Sequence, residues 1–312
     1  MVRSPINIAL IKYWGKRESP NEDEMGIIPL NLSFSVALSM DFFYSECHIE
    51  PSVEDSFILN GAKQAINERM RRVIRAARKI SCCNDYIRII SASPNLPTGA
   101  GLASSASGYS ALARALFEYY GLRNPKDLEL LARLGSGSSC RSLYGGWTSW
   151  ENTSITKHPF SWPALCCLVV VTSQLVKLVG SSEGMKASAQ SSKLLRKRIG
   201  DKVAERNFRK LTESIEQRHF ENFARIVMEE SDSLRSICLD TEPVLDYYNK
   251  KSLAIIKLIK DINGRNATLA GYTFDAGPNA FVFCLKENKE FIRGELLKLN
   301  PEKIIDCEIG TS

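Results

Sequence analysis

The stretch Asn95-Leu96-Pro97-Thr98-Gly99-Ala100-Gly101-Leu102-Ala103-Ser104-Ser105 lies between a β-branched run, Ile87 to Ile90, and a segment with helical spacing, Tyr109 to Tyr120. Strand, glycine turn and helix in that order place backbone N–H groups at the positive end of a helix, where an anion is held. Gly99 and Gly101 let the main chain approach phosphate closely, and Ser104 and Ser105 add hydroxyls. A glycine-rich turn standing alone is more often a plain loop. It lacks the Gly-Lys-Ser/Thr ending of a Walker loop, so a different, serine-rich phosphate cradle is indicated.

Working outward, residues 1–160 alternate strand and helix signals. Ile6 to Ile11, Phe34 to Met40, Phe42 to Ile49 and Tyr86 to Ser91 read as strands. Lys63 to Lys79 reads as a basic amphipathic helix whose apolar face is Met70, Val73, Ile74 and Ala77. Pro125 opens another helix, with Leu128 to Leu134 as its apolar face and Gly135-Ser136-Gly137-Ser138 as its stop. Beyond residue 160, Leu165 to Val171 reads as a buried strand. Ser188 to Leu211, Glu213 to Ser233 and Val244 to Asp261 follow with helical patterns, then strands at Thr268 to Thr273 and Ala280 to Leu285. The expectation is an α+β fold with two lobes, residues 1–160 and 161–312, meeting at a cleft.

The chain of 312 residues is 44% hydrophobic and 24% charged, as expected for a folded, soluble protein. The longest apolar run, Ala164 to Thr172, is too short to span a bilayer, and Met1 to Ile11 is too short for a signal core. A cytoplasmic protein with no membrane partner is expected. Nine cysteines without CxxC spacing read as reduced, mostly buried thiols. The three histidines, His48, His158 and His219, fall outside every motif, so acid–base chemistry is left to carboxylate or lysine. A formal charge of +6 suits nucleic acid, a membrane surface or an anionic small substrate. The basic helix is read as a solvated face, and no nucleic-acid partner is expected.

Three further segments carry chemistry. In Asn7-Ile8-Ala9-Leu10-Ile11-Lys12-Tyr13-Trp14-Gly15-Lys16-Arg17, a strand runs into a loop that can bring Lys12 and Lys16 to one cleft, although two surface lysines beside a packed Trp14 would read the same. In Gly135-Ser136-Gly137-Ser138-Ser139-Cys140-Arg141-Ser142-Leu143-Tyr144-Gly145-Gly146, amides and hydroxyls form a second anion surface, and Arg141 offers a bidentate fork. Two phosphate cradles in one chain suggest two phosphorylated ligands. In Tyr272-Thr273-Phe274-Asp275-Ala276-Gly277-Pro278-Asn279-Ala280, Asp275 ends a strand at a turn. That is an ordinary turn former, but beside the other segments it is the best candidate base.

Taken together, these segments resemble the mevalonate diphosphate decarboxylases of the GHMP kinase superfamily. The superfamily's Pro-x-x-x-Gly-Leu-x-Ser-Ser is met by Pro97 to Ser105. The family's own motifs are met at 11–17, 135–146 and 274–280, with further likeness at 31–36, 59–69, 181–185 and 236–240. Leu30 and Leu32 stand where small hydroxyl residues are expected, and Glu183 adds negative charge after Ser181-Ser182.

The resemblance implies a GHMP kinase-like fold and the conversion of mevalonate 5-diphosphate and ATP, with Mg²⁺, to isopentenyl diphosphate, CO₂, ADP and phosphate in isoprenoid and sterol biosynthesis. A homodimer is also implied. Asp275 would take or orient the proton of the tertiary hydroxyl, Lys12 would neutralise charge there, Arg141 would hold the carboxylate, and Asn7 would help fix the aspartate. Pro97, Gly99, Ala100, Gly101, Leu102, Ala103, Ser104 and Ser105 would hold ATP phosphates, with Ser105 as the metal ligand. Tyr13, Trp14, Gly15, Lys16, Arg69, Ser136, Gly137, Ser138, Ser139, Cys140, Arg141 and Ser182 would grip the diphosphate and mevalonyl body. A related GHMP kinase that stops at phosphorylation, or a monophosphate decarboxylase, is the alternative.

Overall fold

The computed structural model describes residues 1–17, 25–41, 43–93, 104–175, 177–265 and 267–310. Three sheets organise them. The first comprises β1 (Val2–Pro5), β4 (Tyr44–Pro51), β7 (Ile87–Ala92), β5 (Ser56–Leu59) and β6 (Ala62–Gln64), in that spatial order. All its pairings are antiparallel except β5 with β7. The second is the antiparallel set β2 (Asn7–Ile11), β3 (Ser33–Ala37), β8 (Trp147–Glu151) and β9 (Ser154–His158). The third runs β11 (Ala270–Phe274), β12 (Ala280–Leu285), β10 (Leu165–Val171) and β13 (Lys303–Glu308), also antiparallel.

The helices are α1 (Glu68–Ser81), α2 (Ser104–Tyr119), α3 (Pro125–Gly135), α4 (Ser181–Ser191), α5 (Lys193–Gly200), α6 (Val203–Glu216), α7 (Phe220–Leu239), α8 (Lys250–Arg265) and α9 (Lys289–Leu297). The α+β expectation holds. Met70, Val73, Ile74 and Ala77 are the buried face of α1, as their spacing requires. Asn67 caps that helix by accepting from Met70 N. Seven of the nine free cysteines are buried. No helix among the described residues is long and apolar enough to cross a membrane.

Where the apolar periodicity runs on, the chain breaks the helix with caps. Ser192 accepts from Leu195 N to start α5, and Lys202 takes a left-handed φ of 48° ahead of α6. His219 accepts from Asn222 N at the start of α7, one residue after Arg218 at φ 54°. A periodic apolar face survives such breaks, so periodicity alone joins helices that capping separates.

One apolar cluster crosses the middle of the chain. It joins Ile8, Phe34 and Trp147 to Val169, Phe223 and Phe283. Phe223 is fully buried, with ring centroids 5.5 Å from Trp162 and 5.6 Å from Phe283. Phe223→Ala is expected to lower unfolding free energy by about 3–5 kcal/mol, because the cavity left by the ring adds to the lost transfer energy. Urea unfolding checks this; a cost under about 1 kcal/mol would mean that the aromatic cluster repacks.

Candidate active site

Three strand ends converge on one cleft. β2 ends at Ile11 with a register irregularity between Ala9 and Ile11, which turns Lys12 inward. β11 ends at Phe274, and Gly277 N closes a tight turn on the Asp275 carbonyl at 2.8 Å. Asn279 Oδ1 accepts from Thr172 N at 2.7 Å and Ser173 N at 3.2 Å, tying the end of β10 to that turn. The Asp275 carboxylate is thus carried on a rigid support beside a cleft of about 500 Å³.

Lys12 is 1% exposed and donates from Nζ to Asp275 Oδ1 at 3.0 Å. Burial lowers its pKa from the ordinary value, opposed by the nearby Asp275 and Glu230 carboxylates. The ammonium is therefore enclosed, with one face committed to the aspartate.

Arg141 is equally enclosed, at 2% exposure, on the 3₁₀ turn Gly137–Ser142 that follows α3. Its Nη1 donates to Ser33 Oγ at 2.6 Å, and its guanidinium lies 5.6 Å from the Tyr13 ring centroid and 5.9 Å from that of Trp150. Among the described residues its buried Nε has no hydrogen-bond partner and the side chain makes no ion pair. Burial pulls its pKa below the usual guanidinium value. A buried cation without a carboxylate partner is costly unless something anionic completes it. This orphaned fork is the strongest sign of an anionic ligand.

The serine turn is built to sit against aromatic rings. A Cβ on Gly137 would meet Tyr13 Oη at 2.6 Å and Trp150 Cη2 at 2.8 Å, so only glycine allows this approach. Tyr13, Trp14, Arg69, Ser105, Ser136, Gly137, Ser138, Arg141, Ser182 and Asp275 all line the cleft. Arg69 reaches across it to donate to Ser182 Oγ at 3.0 Å, linking α1 to the start of α4.

Several residues expected in the site do other work. Asn7 lines the cleft, but its amide donates to the Ser138 carbonyl at 3.1 Å and Ser142 Oγ at 2.7 Å; it buttresses the serine turn rather than Asp275. Gly15, at φ 94°, makes a turn whose carbonyl accepts from Leu30 N, and Lys16 forms a bridge with Pro29; neither lines the cleft. The Ser139 hydroxyl turns away, 2.6 Å from the carbonyls of Ala132 and Ser136. The Cys140 thiol faces the Gly137 carbonyl, and burial pushes its pKa up to about 12. Pro97 to Ala103 and the Ser104 side chain lie outside the described residues. The two leucines at 30 and 32 are packing residues: Leu30 covers Gly15, and Leu32 belongs to the shared apolar cluster.

One cleft cation escaped the sequence reading. Lys177 lines the cleft and donates to Ser181 Oγ at 2.7 Å and the Ala276 carbonyl at 2.8 Å. Burial lowers its pKa too. The signal available was its place after the β10 strand and four residues before Ser181-Ser182.

Residues 4–160 match the diphosphomevalonate decarboxylase-like N-terminal domain, and residues 167–308 match the mevalonate 5-diphosphate decarboxylase C-terminal domain. The chain belongs to the diphosphomevalonate decarboxylase family. A diphosphomevalonate decarboxylase of Schizosaccharomyces pombe is 38% identical over 95% of this chain and 81% of its own length. The mevalonate diphosphate decarboxylase from Enterococcus faecalis, solved in a study of mevalonate diphosphate-mediated ATP binding, is 30% identical at a TM-score of 0.87, covering 99% of this chain and 96% of that one. A solved complex of MDDEF with MVAPP, AMPPCP and magnesium is 31% identical at a TM-score of 0.88, with the same coverage of both chains. The fold of this decarboxylase family member is therefore GHMP kinase-like, and relatives of the same fold bind a nucleotide analogue and magnesium.

Proposed function

We propose that this chain catalyses the ATP-dependent decarboxylation of mevalonate 5-diphosphate to isopentenyl diphosphate, as a step of isoprenoid and sterol biosynthesis. The observation that carries the reading is the pair of enclosed cations, Lys12 on Asp275 and the uncompensated Arg141, in one cleft. A substrate bearing a carboxylate and a diphosphate needs several fixed cations, and phosphoryl transfer needs positioning and charge neutralisation more than covalent help.

In this reading Asp275 orients the tertiary hydroxyl and takes its proton as the γ-phosphoryl group is transferred. Lys12 stabilises the charge that develops between that oxygen and the phosphate. Arg141 completes its fork on the substrate carboxylate, holding it in line with the C–O bond that breaks. Departure of phosphate draws the C–C bonding electrons into the new double bond, releasing CO₂. Tyr13, Trp14, Arg69, Ser136, Ser138 and Ser182 surround the diphosphate and mevalonyl body, and Lys177 adds a further cation to the cleft.

ATP phosphates fit the start of α2, a 16-residue helix with no acidic residue in its first turn. Ser105, which lines the cleft at the start of α2, would hold Mg²⁺ together with the nucleotide phosphates. When bound, it supplies charge neutralisation at the phosphates. The assignment further includes two lobes, 1–160 and 161–312, a homodimer and a cytoplasmic location, for which the family resemblance is the support.

Incubation with mevalonate 5-diphosphate and, separately, the monophosphate, each with ATP, tests the reading by measuring CO₂ and ADP together. Equal CO₂ and ADP from the diphosphate is the expected result; ADP without CO₂ would make the chain a kinase, and preference for the monophosphate would change its substrate. The pH profile is a second check. The protonated Lys12 is the active form, and burial lowers its pKa below 10.5. The free enzyme's kcat/KM is therefore expected to hold below that lowered value and fall as pH rises through it. Lys12→Arg should move this limb upward or remove it.

A further inference from the structure

Glu230 is a fully buried carboxylate that the mechanism above leaves unused. Every acceptor direction is filled. Arg198 donates to it twice, Nη1 to Oε1 at 3.0 Å and Nη2 to Oε2 at 2.5 Å, and Asn207 Nδ2 donates to Oε1 at 2.7 Å. Its remaining bond goes to the main chain of the reactive lysine: Lys12 N donates to Oε2 at 2.9 Å. The next residue on α7, Ser231, is also fully buried, and its Oγ accepts from Phe274 N at 3.1 Å, one residue before Asp275. Adjacent positions on one helix thus hold the strand ends that carry both members of the reactive pair.

We propose that Glu230 and Ser231 are positioning residues that together set the spacing between Lys12 and Asp275. The proposal rests on the roles given to those two groups above. A buried Arg–Glu pair contributes little to stability over a well-packed apolar pair of the same volume, whereas sub-ångström placement of reacting groups strongly affects rate. Lys12 and Asp275 come from segments 263 residues apart, so their register needs a common support. The charged groups facing Lys12 are Asp275 from the β11–β12 turn, Glu230 from α7 and Arg141 from the 3₁₀ turn, while Arg198 of α5 faces Glu230. Glu230 and Asp275 favour the ammonium, and Arg141 opposes it.

Ser231→Ala and Glu230→Gln, assayed with mevalonate 5-diphosphate and ATP, test the proposal. Ser231→Ala is expected to lower kcat by about ten- to a hundredfold while both KM values stay near wild type. Glu230→Gln is expected to lower kcat and to move the alkaline limb of kcat/KM to lower pH, because a negative charge facing Lys12 is lost. A folded Ser231→Ala with wild-type kcat, or one whose loss lies wholly in KM, overturns the proposal, as does an unmoved limb in folded Glu230→Gln. Should Glu230→Gln fail to fold, Ser231→Ala decides alone. An inactive Asp275→Ala beside an unaffected Ser231→Ala overturns only the positioning role; an active Asp275→Ala overturns the reading beneath it.

Discussion

Asp275→Ala is expected to lower CO₂ release by roughly 10²–10⁴-fold while ATP still binds. The carboxylate accepts from the buried lysine's ammonium inside the cleft, and it stands at a strand end braced by the Gly277 and Asn279 bonds. Removing it takes away the proton acceptor and strands the Lys12 ammonium without its 3.0 Å partner. Asp275→Asn keeps the shape of the side chain and should lose nearly as much turnover, which separates loss of the base from loss of packing. CO₂ release under saturating substrate, with calorimetric titration of ATP, checks both parts. Retention of a tenth of wild-type turnover would remove Asp275 from the assigned role.

Arg141→Lys is expected to cost about 10²-fold in kcat/KM. The substitution keeps the positive charge, so a purely Coulombic role would leave the rate nearly unchanged. It removes the planar fork and the orphaned Nε, and an ammonium cannot replace two parallel N–H donors to a carboxylate. The side chain also lies against Tyr13 and Trp150, where a lysine would pack less well. Steady-state kinetics with both substrates varied is the measurement, and an unchanged rate would move the carboxylate site elsewhere in the cleft.

Lys12, Arg141 and Asp275 were legible because each stands in a local pattern with its own chemistry: strand into loop, serine turn, strand into Asp-Ala-Gly-Pro. Lys177 had no such pattern. It is a single lysine between apolar residues, and only the fold brings it to the cleft that Arg141 lines. Glu230 was hidden differently. It follows Glu229 inside a helical pattern whose expected bounds, Glu213 to Ser233, differ from those of α7, and Glu229 pairs with Arg225 at the surface while Glu230 is sealed inside. Which of two neighbouring glutamates faces inward depends on helix phase and on Arg198, 32 positions away. Asn7 and Ser139 show the limit in the other direction, since a motif names residues together without saying which of them brace the others. Among the strands, β13 went unread because its alternation is interrupted by Asp306 and its pairing with β10 is set from far along the chain.

The apolar cluster that runs from Ile8 and Phe34 to Phe223 and Phe283 welds strands from the first half of the chain to a helix and strand from the second. Leu38 pairs with Ile309 and Ser39 N donates to the Glu308 carbonyl, so the end of β13 is stitched to the end of β3. Neither half could then be cut free with its hydrophobic surface closed, and separately expressed halves should depend on each other for solubility. The floor on which Lys12 and Asp275 stand is thus a continuous solid built from both ends of the chain, while the Arg69–Ser182 contact lies at the surface.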